Sequence, residues 1–134
     1  MTANGLPEPL AEPDRRWRIR LEVDEPGARV AAAIDERGTI LGLATAGVSR
    51  DDHAVTAWEL YSINVTAEQQ GSGLADALIG ITSGSLDTTV WVLAGNGRAQ
   101  SFYARHGFRA EGAATVDEVT GERQVRMVRW SAER

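Results

Sequence analysis

The sequence predicts a single α/β domain of the α+β kind, and three observations carry that expectation. Two pairs of apolar runs, each joined by a short glycine-containing turn, read as hairpins, one early in the chain and one at its end. Between them a run with bulky groups on both faces leads through a glycine loop into a segment of helical period, and a second β-branched run leads into a second helix. A chain of 134 residues, 43% apolar and 25% charged, has the composition of one globular domain and can bury a core without disulfides or metal.

Residues 1–14 hold Pro7, Pro9 and Pro13 with little apolar content and read as a flexible lead-in, the domain running over 15–134. From Asp14 to Val23 two patterns compete, because Trp17, Ile19, Leu21 and Val23 alternate as in a strand while Asp14 suits a helix N-cap. Asp24-Glu25-Pro26-Gly27 is a turn, and Ala28–Ile34 and Thr39–Val48, joined by Asp35-Glu36-Arg37-Gly38, form the first hairpin. After polar Ser49–His53, Ala57–Val65 is bulky on both faces and reads as a central strand. Beyond the loop Thr66–Gly73, Leu74, Ala77, Leu78 and Ile81 share one helical face, and Ser83-Gly84-Ser85 ends that helix. Thr88–Leu93 is a buried strand. Asn96 is placed to cap a helix over Gly97–His106, with Gly107 at its C′ position. Phe108–Val116 and Arg123–Trp130, turning around Asp117–Gly121, make the last hairpin.

Composition removes several chemistries. There is no cysteine, hence no thiol nucleophile, thiolate zinc site or disulfide. All 14 basic residues are arginine, which excludes lysine nucleophiles and Schiff bases. His53 and His106 alone make a histidine metal site improbable. A net charge of −5 disfavours broad attraction to nucleic acid or an anionic membrane, although 98–134 is mildly basic. No apolar run is long enough for a membrane span and the N-terminus lacks the pattern of a signal peptide, so a cytoplasmic protein is expected.

The glycines of Gln70-Gly71-Ser72-Gly73 stand at the mouth of a helix, where backbone N–H groups and the positive end of the helix dipole suit a phosphate or pyrophosphate. A P-loop is impossible without lysine, and the dinucleotide fingerprint fails where Asp76 stands. The glycines alone leave two readings open, an anion site and a plain glycine-rich turn. A second segment bears on the choice. Gln70-Gly71-Ser72-Gly73-Leu74-Ala75 matches Gln/Arg-x-x-Gly-x-Gly/Ala, and Asn96, Ala99, Phe102, Tyr103, Gly107 and Phe108 match Asn-x-x-Ala-x-x-Phe-Tyr-x-x-x-Gly-Phe. In order and spacing the pair resembles the GNAT superfamily of acyl-CoA-dependent N-acyltransferases, over roughly residues 17–130.

That resemblance implies a mixed, mostly antiparallel central sheet flanked by helices, with its central strands splayed. It implies that the amides of Gln70, Gly71, Ser72, Gly73, Leu74 and Ala75 hold the pyrophosphate of acetyl-CoA. The pantetheine arm would lie along Ile63, Asn64 and Val65, with Asn96 and Ala99 completing the cofactor site. Glu59 would be the general base for an amine acceptor, a backbone N–H in Ile63–Val65 the oxyanion donor, and Tyr103 the general acid. Each residue also has a plainer reading: a strand carboxylate for Glu59, a packing aromatic for Tyr103, capping for Asn96. Arg98 and Arg105 have two readings, contact with a CoA phosphate and, preferred, solvated helix charges; His106 reads as a surface residue, and His53, with Asp51 and Asp52, as a polar turn in preference to a substrate-facing loop. Against the family pattern the first strand and first helix are missing; Asp14–Val23 is then expected to be the remnant of the second helix, burying Trp17 and Leu21, and an edge strand is left for a homodimer partner. The expected activity is N-acetyl transfer to a primary amine; the rival expectation is a non-catalytic module that binds acyl-CoA or another protein.

Overall fold

Hairpin chemistry starts the sheet. Asp35 Oδ1 accepts the N–H groups of Arg37 at 2.8 Å and Thr39 at 2.9 Å, and Gly38 turns at φ +85°. That turn brings strand β2 (Ala28–Ile34) against β3 (Ile40–Val48). The computed structural model describes residues 17–23 and 27–131. Around that hairpin it places β1 (Arg18–Glu22), β4 (Trp58–Val65), helix α1 (Leu74–Ser83), β5 (Thr88–Leu93), helix α2 (Gly97–Arg105), β6 (Arg109–Val116) and β7 (Arg123–Arg129). The seven strands form one sheet in the order β1-β2-β3-β4-β5-β7-β6, antiparallel except between β4 and β5.

The first element corrects a sequence expectation. Arg18–Glu22 is a strand, not a helix, and it pairs antiparallel with β2 from Arg18↔Ile34 to Glu22↔Val30. The period-two pattern prevails because the edge of β2 offers a full ladder of partners, whereas an isolated helix of about ten residues is marginal. Trp17 and Ile19 pack against the core from this strand, while Leu21, the expected buried partner of Trp17, is 41% exposed. The expected lead-in 1–14 and the cap Asp14 lie outside the described residues.

Both crossovers, β4 to β5 and β5 to β6, step in the same direction across the sheet, so the right-handed rule puts α1 and α2 on one face. The packing agrees. Leu74 and Leu78 of α1 bury against Ala31, Ala33 and Ala44, and Ile79 joins Ala46, Leu60, Val90 and Tyr103 of α2 in an adjoining cluster. Small residues on β2 and β3 let α1 sit close: a Cβ at Gly42 would meet Leu78 Cδ1 at 3.0 Å and Leu74 Cδ2 at 3.2 Å.

Two irregularities position the site. In β4, Thr45↔Ser62 and Ala46↔Leu60 leave Tyr61 as an extra residue, a bulge of the kind that re-aims side chains. Between β4 and β5, only Trp58↔Thr88 and Glu59↔Thr89 pair. Beyond them β4 stays with β3 as far as Val65 and β5 stays with β7 as far as Leu93, so the strands part and leave a gap. α1 and α2 follow the far ends of these two strands, which brings both helix N-termini to the mouth of that gap.

Candidate active site

On the helix face a cavity of about 620 Å³ runs between the β4 wall, formed by Ile63, Asn64 and Val65, and the two helices. Its entrance is the glycine loop. A single 3-10 turn over Ala67–Gln69 is followed by Gly71 at φ +82° and Gly73 at φ +92°, the latter being the N-cap of α1. These left-handed angles suit glycine alone without strain. The loop uses some of its own donors: Gln70 N–H bonds to the Ala67 carbonyl and Ser72 N–H to that of Gln69, while Ser72 Oγ takes the Leu74 N–H at 3.3 Å. The N–H groups of Gly71, Gly73 and Ala75 have no such partner among the described residues, and these three residues line the cavity. Six consecutive residues thus resolve into an alternation. Gln70 lines the cavity with its N–H engaged, Ser72 turns its hydroxyl back onto the Gln69 carbonyl at 2.6 Å, and Leu74 is fully buried in the core.

α2 supplies the opposite wall. Asn96 Oδ1 accepts the Ala99 N–H at 2.9 Å, the expected cap, and both residues also line the cavity. Tyr103 is 9% exposed, held edge-on by Phe102 at 5.2 Å and Phe108 at 5.6 Å between ring centroids, and it lines the cavity too. Burial pushes its hydroxyl above the usual phenol pKa, which keeps it protonated at neutral pH.

Three further residues stand on this wall, for which the sequence favours a solvated or superficial place. Arg98, Arg105 and His106 all line the cavity, and His106 Nδ1 meets Asp76 Oδ1 of α1 at 2.7 Å across its rim. The signal was present in the helical period, since Arg98, Phe102 and Arg105 follow at i, i+4 and i+7 with His106 beside them.

Glu59 lies elsewhere. Its neighbour Leu60 faces the helix layer, so Glu59 projects to the opposite face, into a second cavity of about 580 Å³. It is 9% exposed, and its Oε1 accepts the Arg50 N–H at 2.9 Å and the Ser49 hydroxyl at 3.3 Å. Along the sheet it sits at the fork, being the last β4 residue paired with β5. Tyr61 and Trp91 give this cavity its aromatic wall, and Arg50 stacks 3.6 Å from the Tyr61 ring centroid. His53 belongs to the loop above, its N–H bonded to Asp51 Oδ1 at 2.9 Å, as a polar turn requires. Burial would raise the Asp51 carboxyl, but the His53 amide and Arg126 outweigh it and hold it below the usual value. The bond from Arg126 likewise holds Glu111 low against its partial burial. Among the described residues no three His, Asp or Glu side chains converge as a metal site, and no helix is long and apolar enough to cross a membrane.

The sheet is forked in its middle, with a helix N-terminus and outward amides at the fork's open end, an arrangement open to an anionic ligand with an extended arm. Comparison with known proteins makes this specific. The family model for the acetyltransferase (GNAT) domain matches residues 26–110, and the chain belongs to that family. Nourseothricin acetyltransferase superposes with a TM-score of 0.62 at 19% identity, covering 85% of this chain and 84% of that one. Arabidopsis thaliana NAA60 in complex with a bisubstrate analogue gives 0.61 at 17% identity, over 80% and 78%. A chimera of the spermidine N-acetyltransferase SpeG from Vibrio cholerae with hSSAT gives 0.58 at 20% identity, over 83% and 71%. A search of curated protein sequences gives no match.

Proposed function

We propose that this protein transfers an acetyl group from acetyl-CoA to a primary amine by direct attack, without a covalent enzyme intermediate. The observation that carries the reading is the run of free N–H groups at Gly71, Gly73 and Ala75, opening onto a cavity that continues past Ile63–Val65 to Tyr103. Donors converging at a helix N-terminus, with Arg98 and Arg105 on the facing wall, fit a pyrophosphate, and the open β4 edge fits an extended amide-bearing arm. When bound there, acetyl-CoA supplies an activated thioester.

The chain's own residues divide three tasks. An amine is mostly protonated at neutral pH, and Glu59, with Oε1 committed to the loop, has Oε2 to take that proton directly or through water. A backbone N–H of Ile63–Val65 on the unpaired edge of β4 is placed to donate to a developing oxyanion. Tyr103 holds its proton at a hydroxyl raised by burial and can release it to a departing thiolate. The acceptor enters from Glu59's side of the sheet and the donor from the helix side, and they meet at the fork.

Calorimetric titration with acetyl-CoA, followed by assays of CoA thiol release with spermidine, nourseothricin and a peptide with a free N-terminus, tests the proposal. Saturable binding with turnover of an amine supports it. Binding without transfer across broad amine and peptide panels would instead identify an acyl-CoA-binding module, and no binding to folded protein overturns both.

A further inference from the structure

Arg126 on β7 is 7% exposed, and three oxygens meet its guanidinium there. Its Nε donates to Glu111 Oε2 of β6 at 2.8 Å, and its Nη1 donates to Asp51 Oδ2 at 2.7 Å and to the His53 carbonyl at 2.9 Å. The guanidinium also lies 5.4 Å from the Trp91 ring centroid. Two of the three contacts grip one short segment, Ser49–His53, which has no apolar side chain of its own to anchor it. From Asp51 the chain of bonds continues: the Asp51 N–H reaches Ser49 Oγ at 3.2 Å, and Ser49 Oγ donates to Glu59 Oε1, the same oxygen that takes the Arg50 N–H. A single line of hydrogen bonds therefore runs from β7 through the loop to Glu59. It occupies one carboxylate oxygen and leaves Oε2 with no partner among the described residues.

We propose that Arg126 is a positioning residue for Glu59, clamping the Ser49–His53 loop through Asp51 so that the loop fixes the carboxylate's orientation. The inference rests on Glu59 serving as the base in the reaction proposed above. The fork geometry of a guanidinium serves three acceptors on one strand and one loop, which an ammonium cannot reproduce. Because Arg126 lines the second cavity and not the first, its influence falls on deprotonation of the acceptor and leaves donor binding alone.

The test compares Arg126→Gln, Arg126→Lys and Ser49→Ala, each alone and combined with Glu59→Gln. Turnover is followed with acetyl-CoA and whichever of spermidine, nourseothricin or a free N-terminal peptide the parent acetylates, and acetyl-CoA affinity is measured by calorimetry. Loss of the base costs about a hundred-fold in kcat, and loss of its orientation about ten-fold. Arg126→Gln is expected to lower kcat by that ten-fold with acetyl-CoA affinity within about two-fold, Ser49→Ala to lower it less, and Arg126→Lys to recover only part. In the Glu59→Gln background each second substitution should cost less than about two-fold, because nothing is left to position. The full cost persisting in that background, or a loss falling on acetyl-CoA affinity, overturns the proposal. Hydrogen exchange reads the clamp without activity: the Arg50 amide should exchange about ten-fold faster in Arg126→Gln and in Ser49→Ala, with the β3–β4 ladder unchanged. Unchanged Arg50 exchange also overturns it. If no amine is turned over, the catalytic reading fails while the exchange result still decides the clamp. If Arg126→Gln does not fold, Arg126→Lys, which keeps the buried positive charge but not the fork, carries both measurements.

Discussion

Replacing Gly73 by alanine and by aspartate separates two things this glycine does. Its φ of +92° costs an L-residue about 1–2 kcal/mol. No heavy atom lies within 4 Å of an added Cβ, so no clash adds to that strain. If the loop holds its shape, Gly73→Ala loses about 1–2 kcal/mol of folding stability and binds acetyl-CoA nearly as before. Gly73→Asp carries the same strain, partly offset because aspartate is a good N-cap, and it adds a negative charge where the pyrophosphate would sit. For unit charges about 6 Å apart, repulsion is about 0.7 kcal/mol in a water-like dielectric and about 2.8 kcal/mol at an effective dielectric of about 20. Those limits correspond to roughly three-fold and hundred-fold weaker binding. Calorimetry with acetyl-CoA at low and high salt measures it, and the deficit should shrink as salt screens the pair. An aspartate variant that binds within two-fold of the parent at low salt would refute an anion site at this loop. Equal losses in both variants would mean that the backbone, not the charge, is what matters.

Four further outcomes follow from the geometry. Tyr103→Phe should lower kcat by about ten- to a hundred-fold while leaving acetyl-CoA affinity unchanged, and rapid-quench assays that find no loss would remove Tyr103 as the acid. Because burial raises the Tyr103 pKa, the neutral phenol is favoured in the folded state; its contribution to stability is intact below pH about 10 and declines above it, so a thermal-melt profile at high pH should flatten in Tyr103→Phe. Asp51 and Glu111 have depressed pKa values, so the stability they contribute is present above pH about 4 and is lost as acid protonates them; an Asp51→Asn melt that tracks the parent from pH 6 down to 3 would contradict this. Leu78→Ala should cost about 2–5 kcal/mol in urea unfolding, since Leu78 is fully buried between α1 and the alanines of β2 and β3.

What could be read from sequence depended on how far apart the deciding residues lie. β2 and β5 fall at their expected bounds, Ala28–Ile34 and Thr88–Leu93, because turn residues flank each run and the signal is local. The Asn96 cap and the left-handed Gly107 at φ +92° were legible for the same reason. β1 was misread because its fate is decided by the open edge of β2, which no local window contains. The Arg126 cluster was illegible in a stronger sense: Asp51 and Arg126 are 75 residues apart and meet only after the sheet has formed. The glycine loop lies between these cases. Its presence could be read, but which of its amides remain free depends on bonds from Gln70 to Ala67, from Ser72 to Gln69 and from Leu74 to Ser72 Oγ.

The same distinction explains β4, the strand on which the proposed chemistry turns. Its sequence is bulky on both faces, which marks it as central, but strict alternation would send Leu60 and Ile63, three residues apart, to opposite sides. The bulge at Tyr61 adds the residue that brings both to the helix layer, where Leu60 pairs with Ala46 and Ile63 with Ala44. Upstream of the bulge, Glu59 is thereby free to face the second cavity, and downstream of it Ile63–Val65 line the first. Tyr61 is held in place by donating its hydroxyl to the Val48 carbonyl. A strand without the extra residue could not keep Leu60 and Ile63 in the core while presenting Glu59 to one cavity and its C-terminal backbone to the other. The bulge is therefore the local feature that lets one strand face both cavities, as the proposed transfer requires.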